Sequence, residues 1–96
     1  MNDPVDFSSR VIVPDTVLFR ELDGESVILN LASDAYLGLD DVGTRMWAVL
    51  ADEPSIQSAC DRLAGEYDVK PDALRADLGA FVQRLLDLGL IELTDG

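Results

Sequence analysis

Strand-like and helix-like patterns occupy separate parts of this sequence, and that separation limits the folds open to it. Three short β-prone segments come first, at residues 16–22, 26–31 and 35–39, and turn signals such as Asp23-Gly24 divide them. Three segments with helical periodicity follow. This order predicts an α+β fold in which a three-stranded antiparallel meander is followed by, and packs against, three α-helices.

The third strand lacks the usual protection of a sheet edge. Residues 35–39 contain no charged residue and no proline, and the order of a meander makes them an outer strand. Edge strands without such features readily pair with another strand. Gly38 either bends the strand or lets another backbone approach closely, and we favour the second. We therefore predict a binding site along the free edge formed by Ala35, Tyr36, Leu37, Gly38 and Leu39.

The three helices have recognisable starts. Asp40 is suited to cap the first helix and Ser55 the second, because both side chains accept hydrogen bonds from free backbone N–H groups. Pro71 suits the first position of the third helix. We expect that helix to run to Leu88, with Gly89 as its left-handed stop.

The third helix is more apolar than a surface helix needs to be. Its apolar arc spans about 160°, beyond the roughly 100° that suffices to face a core. A core stripe comprises Leu74, Leu78, Phe81, Leu85 and Leu88, and Val82 and Leu86 widen it, with Arg75 nearby. Two interpretations stay open: the helix is central and packs on two neighbours, or its widened flank forms the wall of a partly open groove beside the third strand.

The length of 96 residues supports a single domain. The first ten residues are mostly polar, so we assign residues 1–10 to a flexible N-terminal tail. Residues 11–93 form the domain and residues 94–96 a C-terminal tail. Within the domain, the apolar residues 90–93 predict a small strand or a packing segment.

The charge balance argues against nucleic acid and membrane partners. The chain has 7 basic and 19 acidic residues, for a net charge of −12. Such a domain matches polyanions poorly, since nucleic-acid affinity comes mainly from neutralising phosphates, and anionic membranes are disfavoured likewise. The second and third helices could form a helix-turn-helix, but the third carries more acidic than basic residues. A winged-helix DNA-binding regulator is therefore the alternative from another class.

Residues suited to catalysis or metal binding are scarce. The chain has no histidine, and its single cysteine, Cys60, lies on the apolar stripe of the second helix. No phosphate-binding loop or calcium loop is present in the sequence. We expect no enzyme activity, no metal and no cofactor. The lone cysteine, the polar start and the lack of a long apolar run favour a cytoplasmic protein.

Three groups of residues, spread over most of the chain, carry a family resemblance. They are Asn30-Leu31, then Tyr36-x-Gly38-Leu39-Asp40-x-Val42-Gly43-x-x-Met46-Trp47, then Gly89-Leu90-Ile91. Together these groups resemble the PqqD-like family, whose members are called RiPP recognition elements. The resemblance covers roughly residues 11–93.

The resemblance implies a winged-helix-like fold and a function without catalysis. Family members bind the leader segment of a ribosomally made precursor peptide and deliver it to modifying enzymes. The leader adds as a strand beside the third strand and packs against the third helix. Carried over to this sequence, the contacts fall on residues 35–39 and on one face of the third helix, at Leu74, Arg75, Leu78, Val82, Leu85 and Leu86.

Members of this family serve several pathways, and the motif residues are shared among them. Some act in lasso-peptide pathways with a leader peptidase and an ATP-dependent cyclase, and others act with a radical enzyme in pyrroloquinoline quinone synthesis. We favour the lasso type, so the expected partners are a precursor leader peptide and a leader peptidase or other peptide-modifying enzyme. A pyrroloquinoline quinone peptide chaperone is an alternative. The protein is a monomer or a homodimer, and a small dimerisation domain that pairs through the same edge is a third hypothesis.

Overall fold

The computed structural model describes residues 5–95, which form five strands and three helices. In chain order these are β1 (Ser9–Ile12), β2 (Val17–Leu22), β3 (Glu25–Asn30), β4 (Tyr36–Leu39), α1 (Asp41–Asp52), α2 (Ile56–Glu66), α3 (Pro71–Asp87) and β5 (Glu92–Asp95). Strands β2, β3 and β4 form an antiparallel sheet in that order, and β1 pairs with β5. The predicted α+β fold, with a three-stranded meander before three helices, is confirmed.

The register of the meander places one of its faces on the helices. Ile28 of β3 lies opposite Phe19 of β2 and Leu37 of β4, so these three side chains share a face. Ile28 and the nearby Leu39 are buried. Tyr36 lies on the opposite face and is exposed. The helices therefore cover a single side of the sheet.

The turn between β2 and β3 follows the chemistry that the sequence predicts. Asp23 and Gly24 both have positive φ, at 50° and 83°, and they alone separate the paired residues Leu22 and Glu25. A two-residue hairpin with positive φ at both positions matches the right-handed twist of its strands. This local turn fixes the register of the first hairpin.

The helix starts are also those that the sequence predicts. The Asp40 carboxylate accepts a hydrogen bond from the N–H of Gly43 at 2.8 Å, and Ser55 forms a reciprocal capping box with Ser58. Pro71 occupies the first turn of α3. That helix ends at Asp87, one residue earlier than expected, and Leu88 is its C-cap.

The core lies between the inner face of the meander and the three helices. Trp47 of α1 is buried there and stacks on Phe19, with ring centroids 5.9 Å apart. The helices contribute most of the remaining core, through Met46, Val49, Leu50, Ile56, Ala59, Cys60, Leu63, Leu74, Leu78, Val82 and Leu85. Burial raises the pKa of the Cys60 thiol, which favours its neutral form.

The segment before β1 differs from the flexible tail that the sequence predicts. Val5 and Phe7 are buried, and the backbone N–H of Gln57 donates to the Phe7 carbonyl at 2.8 Å. The guanidinium of Arg75 lies 3.9 Å from the centroid of the Phe7 ring. Residues 5–10 are therefore part of the domain. Residues 1–4, which the same prediction includes, lie outside the described residues.

The C-terminal residues differ from the predicted tail for a related reason. Glu92–Asp95 forms β5 and pairs with Ser9–Ile12, so these two segments form a small antiparallel sheet. Leu90 and Ile91, just before β5, are buried. Both expectations for residues 90–93 therefore hold. Leu90 and Ile91 are a packing segment, and the small strand β5 begins at Glu92. Gly96 lies outside the described residues.

Replacing Phe7 by alanine tests the packing of this segment. Phe7 is only 6% exposed, so we expect Phe7→Ala to lower the free energy of unfolding by about 3 kcal/mol, through lost burial and the cavity left behind. Urea denaturation measures the change. Leu22→Ala is the control, because Leu22 is 75% exposed and its loss should cost less than about 0.5 kcal/mol. Equal effects of the two substitutions would contradict the packing of Phe7.

Candidate functional site

Strand β4 forms one edge of the meander. It pairs with β3 on one side, and no other strand among residues 5–95 pairs with its far side. Its four residues carry no charge that would hinder pairing with another strand. The edge strand that the sequence singles out is therefore an open edge in this structure.

The hydrogen bonds at the end of β3 define which of its residues face β4. The N–H of Asn30 donates to the carbonyl of Ala35 at 2.9 Å, and the N–H of Leu31 donates to the carbonyl of Thr16 at 2.9 Å. Backbone groups alternate in direction along an antiparallel strand. Even-numbered residues of β3 therefore bond toward β4, and odd-numbered residues bond toward β2.

The same alternation assigns the backbone groups of β4. Leu37 lies opposite Ile28 in the register, so its N–H and C=O point toward β3, and those of Leu39 do likewise. Tyr36 and Gly38 lie between these bonding positions. Their N–H and C=O groups consequently point away from the sheet, to the free edge. An added strand would bond to these two residues.

A shallow groove of about 360 Å³ runs beside this edge. It is bounded by β4, by the start of α1 and by α3. Its lining residues are Leu37, Gly38, Leu39, Asp40, Gly43, Ala80, Phe81 and Arg84. Leu37 and Phe81 are partly buried and pack against the core, so they give the groove an apolar floor. The groove thus combines free backbone groups with space for side chains, the two features that strand addition requires.

The α3 residues predicted to contact a peptide lie elsewhere. Four of them, Leu74, Leu78, Val82 and Leu85, are buried in the core. Leu86 is partly buried and packs against that core. The four buried side chains hold the domain together, whereas Leu86 keeps some exposed surface. A peptide contact at these positions stays a prediction.

Arg75, the remaining α3 residue of that prediction, belongs to another surface. Its guanidinium donates to the Gln57 side chain and lies over the Phe7 ring. Together with Phe7 it borders a hollow of about 460 Å³ between α3 and the N-terminal segment. That hollow is larger than the groove, but no strand edge lines it. It is therefore less suited to an extended peptide.

The face of α3 that lines the groove is Ala80, Phe81 and Arg84. Of the two interpretations of the wide apolar arc, the structure matches a central helix, since Val82 is 0% exposed. Phe81 stands at the margin of the arc, where core and groove meet. Ala80 and Arg84 are four residues apart and therefore share a helix face. This spacing can be read from the sequence, but the apolar pattern of α3 gives no reason to choose these two residues.

The described residues offer neither a cluster of metal ligands nor a helix that could span a membrane. Among residues 5–95, no group of three or more His, Cys, Asp or Glu side chains is placed to hold a metal ion. None of the helices in that range has both the length and the apolar character needed to cross a membrane.

The open edge and the groove beside it have the features that strand addition requires, and comparison with known proteins gives the family. The family model for "Coenzyme PQQ synthesis protein D (PqqD)" matches residues 25–91. Since that match covers well over half of the sequence, the chain belongs to the PqqD family, as the resemblance predicts. No curated protein matches this chain.

Two solved structures are similar to this chain. One is TbiB1 in complex with the TbiA(beta) leader peptide, with 32% sequence identity and a TM-score of 0.77 over 84% of this chain and 94% of that chain. The other is a lasso peptide synthetase B1 complexed with the leader peptide. It has 23% identity and a TM-score of 0.76 over 86% of this chain and 98% of that chain, and it supports the fold.

Proposed function

We propose that this protein is a non-catalytic recognition element that binds the leader segment of a ribosomally synthesised precursor peptide. The leader joins the meander as a fourth strand beside β4, and the protein presents it to modifying enzymes. The observation that carries the proposal is the edge of β4, which pairs with no further strand among residues 5–95 and opens onto an apolar groove. Membership of the PqqD family supports it.

The bound leader would be held by two kinds of contact. Its backbone bonds to the outward groups of Tyr36 and Gly38, which gives affinity for an extended chain of any sequence. Its alternate side chains enter the groove beside Leu37 and Phe81, which gives specificity. The similar TbiB1 structure is a complex with a leader peptide, and this supports the assignment.

The pathway and the partner enzyme are finer parts of the same proposal. Both similar structures concern leader peptides, and one is a lasso peptide synthetase component, so we assign this protein to a lasso-type pathway. The partners are then the precursor leader and a leader peptidase or other peptide-modifying enzyme. Precursor peptides are made on ribosomes, so we place this step in the cytoplasm. A homodimer paired through β4 would compete with the leader, and for this reason we propose that a monomer binds it.

A salt titration tests the proposal against DNA binding. Labelled leader peptides, taken from short reading frames beside the gene, should bind with an affinity that falls less than about fivefold between 50 and 200 mM salt. Contacts to six or more phosphates would instead weaken DNA binding by roughly 10³-fold over that range. Fluorescence anisotropy measures both ligands. Binding of duplex DNA with the steep salt dependence, and of none of the leaders, would favour the winged-helix regulator instead.

A further inference from the structure

Arg84 is the only basic side chain among residues 5–95 that lines the groove, and it has no partner there. It is exposed on α3, near Gly38 and Phe81. No hydrogen bond or ion pair of its side chain occurs within the described residues. The groove therefore holds a guanidinium group that is free to bind an incoming ligand.

Among the arginines of the three helices, Arg84 is the one without a side-chain partner within residues 5–95. The chain has 19 acidic residues for 7 basic ones, and other arginines of the helices are engaged. Arg45 pairs with Glu66, and Arg62 pairs with Asp52 at 2.8 Å. Acidic side chains are thus abundant enough to pair Arg84 internally, but none in the described part of the chain does so.

Two carboxylates near Arg84 in the helix or in the groove accept hydrogen bonds from other groups and form no ion pair with it. Asp87 follows it by one turn of α3, but accepts a hydrogen bond from Gln83 at 2.9 Å. Asp40 lines the same groove, but its carboxylate caps α1 through the N–H of Gly43 at 2.8 Å. Arg84 borders the groove without an ion pair within residues 5–95, so its guanidinium is available to a ligand there.

We infer that the peptide bound beside β4 carries an aspartate or glutamate whose carboxylate pairs with Arg84. This inference rests on the proposed function, because it concerns the ligand of the same groove. Guanidinium and carboxylate can form two parallel hydrogen bonds, and partial removal of water by the bound strand strengthens them. A peptide without that carboxylate would cover Arg84 and leave it unpaired, which is unfavourable.

The remaining charge of the protein makes this requirement selective. A net charge of −12 repels acidic peptides in general, so extra acidic residues outside the groove reduce the rate of encounter. Within the groove, a carboxylate gains a direct partner only at the position that reaches Arg84. The ligand class is therefore an extended peptide with a single favoured acidic position, rather than an acidic peptide.

Strand geometry limits where that acidic residue lies. Side chains of an added strand alternate between the two faces of the sheet. The groove and α3 lie on the inner face, so residues that meet Phe81 and Arg84 belong to the same alternating set. The acidic residue must then be an even number of positions, two or four, from the apolar residue that contacts Phe81.

A displayed library of random 15-residue peptides tests the inference. Peptides selected on the wild-type protein should show Asp or Glu enriched at least about fivefold at one position, at an even spacing from an apolar position. Peptides selected on Arg84→Glu should show Lys or Arg at that position instead. For one selected peptide, changing the acid to Gln or Asn should weaken binding about tenfold to the wild type, and less than about twofold to Arg84→Gln.

Two further variants separate the possible failures. Arg20→Glu makes the same change of net charge on exposed β2, outside the groove, and should select the wild-type set of peptides. If Arg84→Glu also selects that set, while Gly38→Pro abolishes binding, the role of Arg84 is overturned and strand addition stands. If the selected peptides bind Gly38→Pro as tightly as wild type, the proposed function fails, and this inference fails with it.

Discussion

Replacing Gly38 by proline should weaken leader binding by about 30-fold or more while the protein stays folded. The N–H of Gly38 points to the free edge, so proline removes a donor that the added strand needs and breaks no bond between β3 and β4. The leader carbonyl left without its donor accounts for about 2 kcal/mol, which corresponds to roughly 30-fold in affinity. Isothermal titration calorimetry with a cognate leader measures the loss.

The matched control is Gly38→Ala, which keeps the N–H. A Cβ atom at Gly38 would meet no atom of the protein within 4 Å, and its φ is not in the left-handed region, so alanine fits without strain. We expect Gly38→Ala to bind within about threefold of wild type, since its backbone hydrogen bonds are unchanged. Thermal unfolding followed by circular dichroism checks both variants. A folded Gly38→Pro protein with wild-type affinity would disprove strand addition at β4.

Proline at the neighbouring position would give a less useful result. The N–H of Leu37 points toward Ile28 of β3, so Leu37→Pro removes a bond of the meander itself. Loss of binding could then follow from loss of the sheet. Substitutions at positions 36 and 38 change the free edge of β4 without removing a hydrogen bond of the meander, so they distinguish loss of binding from loss of the fold.

The meander and the helix boundaries could be predicted because local chemistry determines them. Asp23-Gly24 forms the two-residue turn between β2 and β3. Asp40 and Ser55 cap the helices that follow them. These features depend on neighbours within a few residues in the chain. An edge position for β4 follows from the same local order, because consecutive antiparallel strands pair in sequence.

The direction of the backbone groups on β4 could not be predicted in the same way. It depends on the bond between Asn30 and Ala35, and on a turn in which Asp34 has a φ of 61°. A shift of one residue in that turn would exchange the inward and outward positions of the whole strand. The sequence identifies the edge, and the register then determines that Tyr36 and Gly38 are its bonding residues.

The predicted α3 contacts and the predicted tail depended on long-range packing. The apolar arc of α3 indicates a helix that packs on two sides. Which α3 residues border the groove depends on where β4 and α1 lie, and the sequence pattern does not show this. Phe7 is a single aromatic residue in a polar segment, with no periodicity to indicate its burial. It is buried because α2 and α3 provide its surroundings, as its contacts with Gln57 and Arg75 show.

Filling the groove should weaken leader binding even when the β4 edge is intact. Ala80 is exposed on α3 and lines both the groove and the hollow beside Phe7, so Ala80→Trp places an indole at the wall of the groove without replacing a core residue. Excluding one apolar leader side chain removes about 1.5 to 3 kcal/mol of burial. We therefore expect at least about a tenfold loss of affinity in calorimetric titrations with the same leader.

The control for this substitution lies two turns earlier on the same face of α3, seven residues before Ala80. Ala73 is exposed in the first turn of α3 and does not line the groove, so Ala73→Trp adds the same side chain outside the site. Its leader affinity should stay within about twofold of wild type. Wild-type affinity in Ala80→Trp, combined with a loss in Gly38→Pro, would mean that the leader bonds to the edge of β4 but leaves the groove on α3 empty. Specificity would then have to come from the outer face of the sheet, where side chains of the added strand lie beside Tyr36.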